Sequence, residues 1–477
     1  MEQWSFPPSY DAGYMPEHTS RYWFRKRETM PAGEREKAIL ERLRQVTRYA
    51  YNNAPFYRQI WDQAGFHPNQ LKSLEDFEAK VPVIAKKDLR EAQTRAPVFG
   101  DYLCIPQSEI FHIHGTSGTT GRPTAFGIGQ QDWETIANNH ARIMWGMGLR
   151  PGDTVFVAAI FSLYMGSWGA LAGAERLKCR SFPFGAGAGG MTARAAMWLD
   201  TVKPQGFYGT PSYALHLAEV ARAEGYDPRN FGLKVMFFSG EPGASVPGVR
   251  DKIRDAYNAK VIDCGSMAEM TPFLNVSGSW ESDEGMLCWQ DIIYTEVCDP
   301  KTFRRVPYGQ RGTPVYTHLE RTSQPMIRLL SGDLTLWTNE ATPCGRTYPR
   351  LPHGIFGRID DMITVRGENV YPSEIDAVLN QLADYGGEHR IIITRERTMD
   401  DLLVRVEATG AVIARGSDAV KAMREDCAKR LQKVLGLTAV VEIVPPDTFP
   451  RTDFKARRVI DDREVFRQMS DKTAKSG

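Results

Sequence analysis

The chain lacks a surplus of either charge. Its 59 Lys and Arg balance 58 Asp and Glu, leaving a net +1 over 477 residues. Without a basic excess there is no global attraction to nucleic acid or to an anionic membrane, and neither is expected as a partner. It also lacks paired cysteines. The seven (Cys104, Cys179, Cys264, Cys288, Cys298, Cys344 and Cys427) are odd in number, and none forms a C-x-x-C pair. That argues against a disulfide framework or a cysteine zinc site and fits a reducing cytoplasm. The N-terminal Met1-Glu2-Gln3-Trp4 has no basic-then-apolar signal pattern. The segment nearest to a membrane span, Val155–Ala174, is uncharged but carries Gly166, Gly169, Gly173, two serines and Tyr164, and follows Pro151-Gly152-Asp153. It reads as a buried strand, a pocket-lining turn and a small-residue helix.

A nucleotide loop of the G-x-x-x-x-G-K-[ST] kind is missing too, since the residue five after Gly115 is Thr120 and five after Gly118 is Pro123. In its place stands His114-Gly115-Thr116-Ser117-Gly118-Thr119-Thr120-Gly121-Arg122-Pro123-Thr124. Glycines alternate there with hydroxyl residues of little bulk, so the backbone N–H groups can curl around an anion with hydroxyls beside them. The loop reads as a phosphate site of another type, against the plainer reading of a flexible surface turn.

Hydrophobic residues make up 42% and charged residues 25%, the balance of a globular protein, and the length allows two or three domains. The first fifty residues are charged and helical in character. Short apolar runs then alternate with helical stretches: Thr154–Ile160, Cys179–Phe184, Gly206–Tyr208, Val235–Phe238 and Lys260–Ile262. Tyr213, Leu217, Val220 and Ala221 show helical spacing, and Val246–Ala259 forms a second helix of this region. Strands alternating with helices predict an α/β sheet with its site on the strand-end loops. Ser239-Gly240-Glu241-Pro242 and Asp263-Cys264-Gly265-Ser266 are two such loops. From about Gly312 the pattern turns to strands and turns. Past Arg358-Ile359-Asp360-Asp361 a compact α+β unit follows: a helix from Ser373, strands Arg390–Thr394 and Leu402–Glu407, a helix Asp418–Leu435 ended by Gly436, and strand Ala439–Val444. Domains of 1–359 and 360–477 are expected.

Three residues outside the loop suit nucleotide chemistry. Asp333, after a tight turn, could accept both hydroxyls of a ribose. Glu269 closes Gly265-Ser266-Met267-Ala268-Glu269, where a carboxylate could hold Mg²⁺ against triphosphate oxygens. Lys455 lies in the basic loop Pro450-Arg451-Thr452-Asp453-Phe454-Lys455. Singly they read equally as a turn residue, a helix cap and a solvated lysine; their joint occurrence is harder to dismiss.

In this order the chain resembles the adenylate-forming superfamily of acyl-CoA synthetases, and within it the phenylacetate–CoA ligase branch. The resemblance runs from about Asn53 to Val459. It rests on Ala54-Pro55-Phe56-Tyr57-Arg58, Lys86-Lys87-Asp88-Leu89-Arg90, Ser117-Gly118-Thr119-Thr120-Gly121, Gly173-Ala174-Glu175, Thr210-Pro211-Ser212-Tyr213, Glu241-Pro242, Gly357-Arg358-Ile359-Asp360-Asp361-Met362 and Arg366-Gly367-Glu368-Asn369-Val370-Tyr371-Pro372. It implies a large N-terminal domain of α/β sheets with a β-rich subdomain and a small mobile α+β C-terminal domain. It also implies a two-step ligation: a carboxylate attacks the α-phosphate of MgATP, and the thiol of CoA then displaces AMP from the acyl-adenylate. By resemblance, Lys455 bridges the carboxylate and α-phosphate, Glu269 holds the metal, and Thr116, Ser117, Gly118, Thr119, Thr120 and Gly121 grip pyrophosphate. Asp333 and Arg358 hold the ribose and phosphate side. Ser239, Gly240, Glu241 and Pro242 border the adenine, and Asp263, Gly265, Ser266, Met267 and Ala268 belong to the same nucleotide site. Asp360 matches the hinge, and Gly367 the glycine that leaves room for the pantetheine arm of CoA. Relatives are often homodimers.

Departures from the family pattern bear on the substrate. Arg122 replaces a common lysine and keeps its charge. Phe454 replaces the glycine before the catalytic lysine, and Gly265 stands where relatives carry a tyrosine that stacks on adenine. Tyr164 falls where aryl-acid relatives tend to have phenylalanine, and Ser239 where they tend to have glycine. Both add a hydroxyl near the acyl group, and a desolvated hydroxyl left unpaired costs roughly 1–3 kcal/mol. A short hydroxylated aliphatic acid is therefore expected, 2-hydroxyisobutyrate fitting best; the alternative is phenylacetate or another aryl acid. A carrier-protein adenylating enzyme and a non-catalytic nucleotide-binding relative are the other readings. His112 and His114 alternate on a strand-like run, but with no third ligand nearby they read as packing or hydrogen-bonding residues rather than a metal site.

Overall fold

The computed structural model describes residues 5–116, 123–185, 191–241, 243–265, 267–270, 276–355, 357–359, 363–365, 368–394, 400–449 and 458–461. The chain forms two compact units, 1–245 with 250–355, and 246–249 with 356–477.

In the first unit, helices Ala32–Asn53 and Pro55–Gln63 lead to a hairpin of β1 (Ile110–Gly115) and β2 (Ala125–Gly129). The main sheet follows with β3 (Thr154–Val157), β4 (Arg180–Pro183), β5 (Gly206–Gly209), β6 (Val235–Phe238), β7 (Lys260–Gly265), β8 (Val276–Ser279) and β9 (Ser282–Cys288). Later in the chain come β10 (Ile293–Cys298), β11 (Arg311–His318), β12 (Leu329–Leu330) and β13 (Asp333–Leu336), which lie outside this sheet, and β14 (Arg350–Leu351), which returns to its edge beside β9. The main sheet runs β14-β9-β8-β7-β6-β5-β3-β4, parallel from β4 to β7 and antiparallel from β7 outward. Every residue of β3, β5 and β6 is buried. Helices cover both faces of a parallel sheet, which explains why these strands appear in the sequence as short apolar runs without alternation.

The helix Met165–Arg176 carries the chain from β3 out to β4, and Met191–Val202 returns it to β5 on the opposite side of β3. The winding reverses between β3 and β5, a topological switch point. Open α/β sheets bind ligands just beyond the carboxyl ends of strands at such a point.

The uncharged 155–174 segment divides as expected into a buried strand, a turn and a small-residue helix. Among the described residues no helix is long and apolar enough to cross a membrane. Two boundaries differ. The β-rich region starts at Val276, ahead of Gly312, because β8 and β9 are short strands joined by the tight turn at Trp280 and Glu281. β7 runs on through Asp263, Cys264 and Gly265, since Cys264 and Gly265 also pair with β8.

The second unit holds β15 (Gly357–Arg358), a hairpin of β16 (Ile363–Val365) and β17 (Glu368–Val370), and the helix Pro372–Leu379. A sheet of β18 (Tyr385–Thr394), β19 (Asp401–Ala408), β20 (Val440–Val444) and β21 (Val459–Asp461) follows, in the order β20-β19-β18-β21. Helix Ser417–Leu435 seals it with Met423, Cys427, Leu431 and Leu435, and ends at Gly436 in the left-handed conformation.

Candidate active site

The carboxyl ends of β3, β5 and β6 converge on three hydroxyls. Tyr164 comes from the turn after β3, Tyr208 from β5, and Ser239 directly after β6. Tyr208 Oη lies 2.6 Å from Ser239 Oγ, Tyr164 Oη 3.2 Å from Tyr208 Oη, and Tyr164 Oη 3.4 Å from Ser239 Oγ. Burial pushes both phenols above their ordinary range. They remain neutral donors and acceptors at any working pH. The turn carrying Tyr164 is held by Ser167 Oγ donating to the Ile160 carbonyl at 2.6 Å and by the Trp168 indole donating to that of Ser162 at 2.8 Å.

This turn is joined to the root of the glycine-rich loop. The Gly115 N–H donates to the Leu163 carbonyl at 3.2 Å. The loop is closed at its base by a reciprocal pair: the Thr116 N–H donates to the Thr124 carbonyl at 3.1 Å, and the Thr124 N–H to Thr116 Oγ1 at 3.2 Å. Thr116 thus sits at the neck, next to the segment that presents Tyr164. Ser117, Gly118, Thr119, Thr120 and Gly121 lie outside the described residues, as do Pro242 and Ser266.

After β6 the backbone turns at Gly240, whose φ of +93° suits glycine, and a β-carbon there would stand 3.4 Å from Tyr164 Oη. Glu241 Oε1 accepts the Ser212 N–H at 2.8 Å, setting a negative charge on the first turn of helix Pro211–Ala223. At the end of β7, burial raises the Asp263 carboxyl to about 6, against the opposing pull of Ser245 and the Cys264 N–H. A β-carbon at Gly354 would approach Asp263 Oδ2 to 3.0 Å, and the Gly354 carbonyl accepts Thr335 Oγ1 of β13 at 2.7 Å. Asp333 opens β13, and its N–H donates to Ser331 Oγ at 3.0 Å. At Gly265 a β-carbon would face Val276, Met286 and Ile355 at 3.4–3.8 Å, an apolar wall. Met267 is buried, and Ala268 begins the single turn that carries Glu269.

Glu269 is buried, and among the described residues neither carboxylate oxygen accepts a hydrogen bond. Lys86 Nζ stands 3.2 Å from Oε1. A desolvated carboxylate with open lone pairs, its charge met by one lysine that is still 35% exposed, fits a site for a hard divalent cation. His112 and His114 do not fit one: they stack with each other at 5.6 Å and on Trp133 at 3.8 and 5.8 Å. Burial lowers His114 to about 4. Among the described residues no cluster of three His, Cys, Asp or Glu could hold a metal.

In the second unit Arg358 stands on β15. Asp360, Gly367 and Lys455 lie outside the described residues. β21, just after Lys455 in the chain, is anchored: the Ile391 N–H donates to the Arg458 carbonyl at 2.8 Å, and the Arg458 guanidinium pairs with Glu388 at 3.2 Å.

Two residues without an individual role in the sequence reading join this site. Tyr208 reads from sequence as one aromatic of a buried strand. Lys86 belongs to a Lys-Lys-Asp run in which neither lysine stands out. Both acquire partners only through non-local contacts.

Residues 367–463 match the family model of the AMP-binding enzyme C-terminal domain. The phenylacetate-coenzyme A ligase of Thermus thermophilus is 32% identical over 92% of this chain and 98% of its own length, and that of Pseudomonas putida 33% identical over 89% and 93%. A solved 2-hydroxyisobutyryl-CoA ligase in the postadenylation state, in complex with 2-HIB-AMP, is 71% identical over 99% of both chains with a TM-score of 0.94. The same ligase in the thioesterification state with 2-HIB-AMP and CoA, also 71% identical, has a TM-score of 0.76. The Thr116–Thr124 backbone pairing, the buried Glu269 carboxylate and the Tyr164–Tyr208–Ser239 hydroxyl triangle thus sit in a chain that belongs to the phenylacetate–CoA ligase family of adenylate-forming enzymes, AMP-forming acid–thiol ligases that use ATP, Mg²⁺ and CoA.

Proposed function

We propose that this ligase activates a short 2-hydroxylated aliphatic acid, with 2-hydroxyisobutyrate the best fit. The hydroxyl triangle of Tyr164, Tyr208 and Ser239 carries the reading. Three hydroxyls bring three protons and six lone pairs, and at most three bonds can close among themselves. Tyr208 and Ser239 are buried, and a polar group left unmatched in such surroundings costs roughly 1–3 kcal/mol. A 2-hydroxyl can both donate to and accept from these hydroxyls; a flat ring can do neither. The 71% identity to a ligase solved with 2-HIB-AMP, against 32–33% to phenylacetate ligases, supports the same choice.

In the adenylation step the acid's carboxylate attacks the α-phosphate and pyrophosphate leaves. Negative charge builds at phosphorus, so positioned cations and N–H donors lower the barrier. Lys455 bridges carboxylate and α-phosphate, and the loop from Thr116 to Gly121 receives pyrophosphate. Asp333 and Arg358 hold the ribose side, while Gly240 to Pro242 with Asp263 border the adenine. Glu269 would hold Mg²⁺, which when bound neutralises triphosphate charge; Lys86 occupies the carboxylate otherwise. Residues 360–477 then turn about Asp360, removing Lys455 and bringing Gly367 to the pantetheine path. The two named states of the related ligase support such a movement. Free CoA is the acceptor, the cytoplasm the compartment and a homodimer the assembly.

The competing reading is an aryl-acid ligase, favoured by the names of the 32–33% identical relatives. Measuring kcat/KM for 2-hydroxyisobutyrate, isobutyrate and phenylacetate decides between them. The hydroxy acid should lead isobutyrate by roughly 5- to 100-fold, the worth of one buried hydroxyl pairing. Phenylacetate in first place would overturn the reading.

A further inference from the structure

We infer that Tyr208 is a positioning residue for acid selection, orienting the Ser239 hydroxyl so that its proton points to the 2-hydroxyl of the substrate. This rests on the hydroxy-acid reading above and deepens it.

Tyr208 is held on every side. It is fully buried on β5, flanked by β3 and β6, and its carbonyl accepts the Ala158 N–H at 2.8 Å. Its ring packs on Phe237 at 5.3 Å. Its tip is fixed by Gly166: a β-carbon there would come within 2.5 Å of both Tyr208 Oη and a ring carbon of Tyr164. A glycine at that point is what lets the two phenols approach each other, so the triangle is built by sequence as well as by topology.

The three edges are unequal, and the inequality sets the direction of the hydrogens. The shortest, 2.6 Å, joins Tyr208 to Ser239; the longest, 3.4 Å, joins Ser239 to Tyr164. A phenol is a far stronger donor than an aliphatic hydroxyl, so on the short edge Tyr208 donates and Ser239 accepts. With one Ser239 lone pair committed, its own proton is left to go elsewhere. Within the triangle the one acceptor for it is Tyr164 Oη, at a distance where a hydrogen bond is weak. A substrate hydroxyl at the pocket offers a better one. Burial keeps the Tyr208 proton in place, so the polarity does not reverse with pH. Tyr208 contacts Ser239 and acts on the acid through it. A tyrosine that merely filled the core would leave all acids equally affected by its loss.

The test is a double-mutant cycle on Tyr208→Phe, Ser239→Ala and the pair, with kcat/KM measured for 2-hydroxyisobutyrate and isobutyrate. The wild-type ratio is read first. A ratio at or below one overturns the hydroxy-acid reading and this inference with it. Given a high ratio, Tyr208→Phe should lower it about three- to tenfold, the scale of one hydrogen bond, through KM for the hydroxy acid, with isobutyrate changed about twofold or less. In the Ser239→Ala background the same substitution should leave the ratio where it is. Equal losses on both acids, or an equal fall of the ratio without Ser239, would overturn the inference while leaving the substrate reading intact. Should Tyr208→Phe fail to fold, 3-fluorotyrosine at position 208 keeps the shape and strengthens the donor. The ratio should then rise, and an unchanged or lower ratio would count against Tyr208.

Discussion

Lys86 Nζ faces Glu269 Oε1 across 3.2 Å, joining a helix near the N-terminal third of the chain to the turn after β7. The two partners are unlike in environment. The Glu269 side chain is fully buried, whereas the Lys86 side chain remains about a third exposed. The cation of this pair can therefore leave more cheaply than the anion.

The pair gives a stability prediction with a built-in control. Lys86→Met leaves a buried carboxylate without its cation, which should cost about 1–2 kcal/mol, below the usual 3–5 for a fully buried pair because Lys86 is part-exposed. Lys86→Met with Glu269→Gln should recover most of the loss, since no charge then remains. Urea unfolding of the four proteins checks this; a double variant as unstable as Lys86→Met would show that the lysine acts by packing alone. Glu269→Gln by itself should lose most acid-dependent pyrophosphate exchange, and extra Mg²⁺ should not restore it.

Asp263 predicts a pH dependence. Its folded pKa, about 6, lies above its ordinary 3.8 because of burial. The folded protein thus holds this proton more tightly than the unfolded chain, so the contribution of Asp263 to stability is present below about pH 4 and is lost as pH rises to about 6. If Asp263 borders the adenine as proposed, binding runs the other way, because the ionised carboxyl is the stronger acceptor for an adenine amino group. KM for ATP should rise as pH falls from 7 through 6, and Asp263→Asn should abolish that limb. Asp263→Asn should also gain stability relative to wild type at pH 7 more than at pH 4. A KM for ATP flat between pH 5 and 7 in the wild-type enzyme would remove Asp263 from the nucleotide site.

The parts legible in sequence are those set by local physics. Val235–Phe238 and Gly206–Gly209 stand out because strands buried on both faces need continuous apolar runs, and helix Ser417–Leu435 because its apolar period and Gly436 mark both face and end. Tyr164 and Ser239 stand out in the sequence as departures from a family pattern. That they touch one another, and that Tyr208 joins them, depends on the crossover that inserts β5 between β3 and β6. No periodicity encodes that order. Lys86 does not stand out for a related reason: its partner is supplied by a distant turn, and one lysine in a charged helix carries no local mark. The early start of the β-rich region carries no mark in the sequence, because β8 is four residues rich in serine and glycine whose strand character comes from pairing with β7 and β9.

Arg458 predicts a defect in the second unit. Its guanidinium pairs with Glu388 at 3.2 Å and lies 3.7 Å from Asp376, which in turn faces His389 Nε2 at 2.9 Å. Burial acts to raise the Asp376 carboxyl, but His389 and Arg458 outweigh it and hold the group below its ordinary range. A depressed folded pKa contributes stability that is present above about pH 4 and lost as pH falls through the folded value. Arg458→Met should therefore shift acid unfolding of this unit to higher pH and cost about 1–2 kcal/mol at neutral pH, the pair being only partly shielded from water. Acid titration followed by near-ultraviolet circular dichroism tests it, and an unshifted midpoint would show that the ion pair is not what anchors β21.

Lys455 predicts that the two half-reactions separate. If the lysine serves only while charge accumulates on the α-phosphate, its removal deprives one transition state of a preorganised cation and leaves the other untouched. Lys455→Ala should lower acid-dependent pyrophosphate exchange by roughly two to three orders of magnitude. Thioester formation from pre-made acyl-adenylate and CoA should stay within about threefold of wild type, because in the proposed mechanism Lys455 plays no part in the attack of the thiol on the carbonyl. Lys455→Arg keeps the charge but replaces a compact ammonium with a planar fork, so it should restore only part of the first step and again leave the second unchanged. Parallel losses in both steps would mean that the lysine organises the loop rather than the adenylation chemistry, and the two-neighbour account of this site would fail with it.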